Sequence, residues 1–288
     1  MKWWKATGLA LGALAAARAG LGAYGAARWH EASRALLASL EAARMPPEPA
    51  HYDPRELEGL PAPVRRYFRS ALKEGQPIIA AVDVRQEGSM NLGHCREQWK
   101  PFSASQRVVT RRPGFVWDAR VRVMPGLPVH VHDAYVGGAG ILEPALLGLC
   151  NLGRIRGDGD VAQGELIRFL AEAAWYPTAL LPSQGVHWLP IDERSARATL
   201  TDGPIGATLL FRFNAQGLIE TVSAHARGRA VGKTVVMAPW EGRWSDYQEH
   251  DGMVVPLSGE AAWLLPGGRR PYWRGTATGL AYEMARPR

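Results

Sequence analysis

Three ionisable side chains recur at helical spacing in the stretch GELIRFLAEAAWYPTALLPSQGVHW: Glu165, Arg168 and Glu172. Separations of three and four stack them on one face of a helix, and the surrounding residues are apolar enough for that helix to be buried. A carboxylate against an apolar wall has a raised pKa and can serve as general acid or base. The same stripe can instead satisfy itself as an ion-paired network, or meet the polar head of a ligand. All three readings remain open. No catalytic residue is assigned, because the GxSxG elbow of a serine hydrolase does not occur. The GGAG run at 137–140 is not a nucleotide fingerprint, and no cofactor is called for.

His130 and His132 have the spacing of a metal-ligand pair on one strand. Their expected cross-strand neighbours, Arg122 and Arg120, oppose a dication, and no third ligand is evident. A solvated outer face is therefore expected there, with no metal. Cys95 and Cys150 form no CxxC pair; two unrelated buried thiols are expected, with a disulfide as the alternative outside the cytoplasm.

The elements that must position these groups follow from periodicity. GFVWDARVRVMPGLPVHVHDAYVGG reads as a hairpin with period two. Its loop MPGLP sets Val121 opposite Val131 and Trp117 opposite Tyr135. Asp133 then falls on the apolar face, opposite Ala119. A lone buried carboxylate is costly, so it needs a partner, and Arg168 is the candidate. GAGILEPALLGLCNLG reads as a short helix, the stretch 164–188 as one long central helix, and the remainder as about seven further strands. LPAPVRRYFRSALKEG is a helix started by prolines, with Val64, Tyr67, Phe68 and Leu72 inward.

The chain divides into three parts. Residues 1–45 hold an apolar segment, 6–27, and an amphipathic helix with Trp29, Leu36, Leu37 and Leu40 on one stripe. Residues 46–59 form a proline-rich linker, and residues 60–288 a single β-rich domain. The apolar segment has the length of a membrane span, though Ala and Gly dilute it and Arg18 interrupts it. An uncleaved inner-membrane anchor with the body outside the cytoplasm is expected. The alternatives are cleavage as a signal peptide or a helix lying on the cytoplasmic membrane surface.

Of 288 residues, 47% are hydrophobic and 21% charged, and the net charge of +7 is carried mostly by arginine. Those arginines are scattered rather than gathered on one patch, which argues against nucleic acid and suits a surface near anionic lipid. The fold class expected is α+β, mainly antiparallel β: a curved sheet or half-barrel of about eleven strands around a central helix, preceded by a membrane helix. Trp117, Tyr135, Trp175, Tyr176 and Trp263 are placed toward one interior by alternation or helix face. An elongated apolar cavity is expected there, opening at one end.

LPAPVRRYF, GFVWDAR, DAYVGGAG, the 164–188 block, WEGRWSDY and PYWRG together resemble an uncharacterised bacterial family, the domain of unknown function 6544. The resemblance covers about residues 60–285 and implies no activity. The inferred half-barrel is also similar to the periplasmic carriers of lipoproteins, which shelter acyl chains. The expectation is a membrane-tethered protein that binds a lipid or other hydrophobic molecule through Trp117, Asp133, Tyr135, Glu165, Arg168, Glu172, Trp175, Tyr176 and Trp263. The alternatives are a hydrolase using the buried carboxylates and a scaffold without a ligand.

Overall fold

The computed structural model describes residues 3–93, 96–231 and 234–286, with the side chains of 3–15, 17 and 230 outside the description. A 41-residue helix, α1 (Trp3–Ala43), leads through an extended segment to α2 (Ala62–Ala71). Strands β1 (Ile79–Asn91), β2 (Trp99–Val109), β3 (Gly114–Met124), β4 (Leu127–Val136) and β5 (Ala139–Leu146) follow, with the short β6 (Cys150–Asn151) and β7 (Ile155–Gly157). After α3 (Asp160–Glu172) come β8 (His187–Asp192), β9 (Ser195–Asp202), β10 (Ile205–Phe213), β11 (Ile219–Val231), β12 (Thr234–His250), β13 (Met253–Leu265) and β14 (Gly268–Met284).

All of these strands join one open, curved antiparallel sheet. Its order is β6-β5-β4-β3-β2-β1-β14-β13-β12-β11-β10-β9-β8, and β7 also pairs with β5. The first and last long strands are thus neighbours in the middle. The chain meanders from β1 to one edge, crosses through α3, enters the far edge at β8 and meanders back. α3 fills the concave face. Leu166, Ile167, Phe169 and Leu170 pack there with Val82, Val84, Phe102, Val108, Phe115 and Trp117 in the main core. Gly140 permits the contact at the α3 start, since a Cβ there would lie 2.7 Å from the Val161 backbone.

Several expectations need correction. Among the described residues the sheet has fourteen strands rather than eleven, because GAGILEPALLGLCNLG is β5 and β6 instead of a helix and Ile155–Gly157 adds β7. Its leucines favour either state, and pairing with β4 decides. The stretch 164–188 is not one helix: α3 ends at Glu172, and 3-10 turns at Ala173–Trp175, Pro177–Leu180 and Pro182–Gln184 follow. Pro177 and Pro182 cannot donate to a continuing helix. In the β3–β4 hairpin the turn is tighter than expected, with Met124 opposite Leu127 and Gly126 at φ 70°. The register slips by two residues, so Asp133 faces Trp117 and not Ala119. A slip of two preserves the face, and Asp133 still points inward.

On the convex face, α1 seats Trp29, Ser33 and Leu40 against β2, β3 and β4. Leu40 joins Ala81, Val109, Val116, Ala134 and Ile141 in a second, smaller core. The histidine face is accordingly not solvated. His132 is 1% exposed, stacked 3.8 Å from the Trp29 ring, and sits opposite Asp118. Ser33 Oγ donates to Asp118 Oδ2 at 2.6 Å and lies 2.7 Å from His132 Nε2, while Trp29 Nε1 donates to Asp118 Oδ1 at 2.9 Å. Because the serine proton goes to the carboxylate, Nε2 must be the donor to Oγ. Burial pushes the Asp118 carboxyl up, but His132 at 3.8 Å and the hydrogen bonds from Ser33 and Trp29 outweigh it and hold the group below its ordinary value.

Cys150 is exposed rather than buried, and Cys95 lies outside the described residues. Among the described residues no helix is long and apolar enough to cross a membrane. The span expected over 6–27 therefore lacks support in the described part of α1. There the helix is rich in Ala and Gly, and Gly25 is already seated: a Cβ on it would lie 2.1 Å from the Leu147 carbonyl oxygen.

Candidate functional site

The charged stripe of α3 is brought to the concave face by its buried apolar neighbours. Arg168 is the hub. Its Nη1 donates to Asp133 Oδ2 at 2.6 Å, and its Nε donates to Glu172 Oε1 at 2.7 Å. Its guanidinium lies 4.8 Å from the Phe115 ring centre and 5.1 Å from that of Trp117. Gln106 donates to Glu172 Oε2 at 2.6 Å, Gln86 donates to Gln106, and Trp117 Nε1 donates to Gln86. Burial opposes the charge on Arg168, but Glu172, Asp133 and Glu165 outweigh it and hold the guanidinium above its ordinary value.

Glu165 behaves differently. Burial pushes its carboxyl well above the usual range, and Asp133 adds to this against smaller opposing effects of Arg227 and Arg168. Glu165 Oε2 and Asp133 Oδ1 are both buried and have no hydrogen-bond partner among the described residues when each is taken as an acceptor. A proton on Glu165, donated to Asp133, gives both oxygens a partner. The buried charges then balance: Arg168 and Arg227 against Asp133 and Glu172.

These groups border a cavity of about 90 Å³ lined by Met90, Trp117, Asp133, Arg168, Ala171, Glu172, Arg227, Trp240, Gly242, Arg243, Trp244, Glu260, Ala261, Tyr272 and Trp273. The apolar cavity expected from the sequence is corrected, since charged Asp133, Arg168, Glu172, Arg227, Arg243 and Glu260 share its wall; it has room for about three water-sized groups. Larger hollows, of about 800 to 930 Å³, lie on the outer face beside α1 and across β10–β14 and are open to solvent.

Of the residues singled out from sequence, Trp117, Asp133, Arg168 and Glu172 line the cavity. Glu165 stands behind it. Trp263 stacks on Tyr272, 5.6 Å between ring centres. Trp175, Tyr176 and Tyr135 are core residues: Tyr176 Oη donates to the Phe169 carbonyl, Tyr135 Oη donates to Asp202, and Trp175 packs edge-on against Trp244. Arg227, Trp240, Trp244, Tyr272 and Trp273 escaped the sequence reading. Two bulges explain this. The extra residue between Ala224 and Arg227 inverts the alternation of β11 and turns Arg227 inward. The irregularity at Ala261/Ala262 places consecutive Tyr272 and Trp273 on the cavity. The alternation of Trp240 and Trp244 was the one signal available.

The sequence profile described as a family of unknown function (DUF6920) matches residues 58–282. The chain belongs to this family. The resemblance to domain of unknown function 6544 is thereby corrected, and in this DUF6920 chain the matched region runs from before α2 into β14, with α1 outside it. No curated protein matches. Among solved structures, a LolA superfamily protein of Nitrosomonas europaea is similar at 14% identity and a TM-score of 0.33, covering 77% of this chain and 92% of that one. The Mycobacterium tuberculosis lipoprotein LppX is similar at 12% identity and a TM-score of 0.23, covering 82% and 98%. A β-barrel-like protein of Brucella abortus is similar at 10% identity and a TM-score of 0.20, covering 72% and 99%.

Proposed function

We propose that the concave face binds a small apolar ligand, or the end of a larger lipid, that carries one polar group. The observation supporting this is the composition of the cavity wall. Trp117, Trp240, Trp244, Tyr272 and Trp273 surround a space with ion-paired Arg168 at its base. An apolar wall with a few fixed polar groups is the usual makeup of a small-molecule site. At about 90 Å³ the space takes the polar end and a few methylenes, and the rest of the ligand lies along Met90, Ala261 and Trp273. Native mass spectrometry of protein purified from its host tests the reading. A co-purifying lipid or fatty acid that Trp273→Ala loses supports it, whereas bare protein that also ignores a series of added medium-chain alcohols sinks it.

On this reading the N-terminal part of α1 is a membrane tether and the body stands outside the cytoplasm. Exposed Leu21 and Tyr24 support it, as do Lys2, Lys5 and two tryptophans at the start of the sequence. Full-length chain should partition with membranes, and a chain lacking residues 1–20, which keeps the seated segment from Gly25, should not.

A second reading, acid–base hydrolysis, is favoured by the raised Glu165 carboxyl beside Asp133. A screen of esters, amides and glycosides should then find turnover that Glu165→Gln removes; turnover surviving that change excludes this carboxyl as the acid.

A further inference from the structure

Every carboxylate on the cavity wall is hydrogen-bonded to an arginine. Asp133 and Glu172 are held by Arg168, and Glu260 by Arg269 and Arg274. Arg227 has no carboxylate within hydrogen-bond distance among the described residues. It is 7% exposed, its Nε donates to the Gly164 carbonyl at 3.0 Å, and its Nη1 donates to Tyr272 Oη at 3.1 Å. Both acceptors are neutral. Its ion-pair contact, Glu165 Oε2, is 3.7 Å from Nη2, beyond hydrogen-bond reach. Trp240 and Trp263 stabilise the cation through their ring faces, at 5.2 and 6.0 Å, but rings do not neutralise it.

Two further donors converge on the same cavity. Tyr272 Oη already accepts from Arg227 and from Trp240 Nε1 at 3.0 Å. Both acceptor positions of the phenol are therefore used, and its own O–H is left to donate. Trp244 Nε1 is buried and has no acceptor among the described residues. A guanidinium, a phenol and an indole, all on one wall, ask for a ligand that only accepts, and a buried guanidinium with no carboxylate hydrogen-bonded to it favours a negative one.

Resting on the cavity reading above, we propose that the bound molecule is anion-headed, a carboxylate or phosphate ester on an apolar tail, and that Arg227 receives the head with Tyr272 and Trp244 as accessory donors. The guanidinium provides two-pronged geometry toward either oxyanion, and the tryptophan wall carries the first methylenes.

Calorimetric titration of the full chain with decanoate, decyl phosphate, decanol and inorganic phosphate tests this. At least one of the two anion-headed probes should bind tenfold or more tightly than decanol. Arg227→Gln should lower that probe to the level of decanol, and Arg227→Lys should retain part of the preference. Tyr272→Phe, which keeps the stacked ring, should weaken the anion more than decanol, so the result does not depend on Arg227→Gln folding. The better of decanoate and decyl phosphate identifies the head chemistry. Equal binding of decanol and both anions overturns the head-group assignment while the cavity reading stands. Failure of all three tailed probes overturns the cavity reading itself. Inorganic phosphate binding as tightly as decyl phosphate refutes the tailed ligand in favour of a bare anion, and an anion preference that persists in Arg227→Gln refutes Arg227.

Discussion

Replacing Arg168 with alanine removes the hub of the buried network, and its cost can be worked from the contacts. The guanidinium meets Asp133 Oδ2 at 2.6 Å and Glu172 Oε1 at 2.7 Å. Charge centres about 4 Å apart attract by about 4 kcal/mol each at an effective dielectric near 20. Two such pairs are opposed by the several kcal/mol needed to strip water from a buried guanidinium. The variant keeps the cost of burying the carboxylates without the compensation, so a loss of about 3–5 kcal/mol is expected. Urea unfolding followed by tryptophan fluorescence reads it, and a lower midpoint at unchanged slope would locate the effect in stability. The triple variant Arg168→Met/Asp133→Asn/Glu172→Gln should recover much of it by removing the charges together. A loss below about 1 kcal/mol at pH 8 would place the stripe in water-like surroundings and refute the buried-network account.

Other consequences can be checked together. Glu165, with its folded pKa raised by burial, contributes stability below the unfolded value near 4.3 that is lost as pH rises toward the folded one. Glu165→Gln should therefore equal or exceed the parent at pH 8 and flatten its stability profile above about pH 4.3; a steeper profile would contradict this. Glu283 is the opposite case, held down to about 2 by Arg44, against burial, with Arg107 assisting. Its contribution is present above the unfolded pKa and disappears as pH falls from the mid-4s toward 2, and Glu283→Gln should remove that part of the acid limb. The Glu283 side chain is 49% exposed, so the effect stays at or below about 1 kcal/mol. Asp118→Asn weakens the charged acceptor for Ser33 and Trp29, and about 1.5–3 kcal/mol of α1 docking should go with it. Limited trypsin digestion should then cut first at Arg28 and Arg34, whereas unchanged cleavage would mean that the apolar contact at Leu40 suffices. Gly140→Ala forces a Cβ to 2.7 Å from the Val161 backbone and should cost about 1–3 kcal/mol, read as a lower thermal midpoint.

What the sequence disclosed was the part governed by short-range periodicity. Asp133 reaches Arg168 because strand parity survives a two-residue slip, so the inward face was legible even though its cross-strand neighbour was not. α2 was readable for the same reason: the prolines that start it act locally. Strand β5 was illegible because a leucine-rich run is decided by its neighbour rather than by its own preference. Half of the cavity wall stayed hidden behind bulges, since one inserted residue in β11 changes which side chains face inward without altering composition. The pairing of α1 with the histidine face was hidden too, because Trp29 and His132 lie a hundred residues apart and neither pattern names the other.

The meeting of β1 with β14 in the middle of the sheet has a consequence for how the protein is made. Strands β1–β7 can zip up by short hairpins as they emerge from the ribosome, and so can β8–β14. The seam between the halves has to wait for the last strand to be synthesised. Trp117 and Asp133 belong to the early half, and Trp240, Trp244, Tyr272 and Trp273 to the late one, so the cavity comes into being only when that seam closes. Until then β1 is a waiting edge, open to pairing with another nascent chain. A chain stopped before Gly268 would keep that edge for good, which makes the final seventeen-residue strand the step at which assembly and quality control coincide.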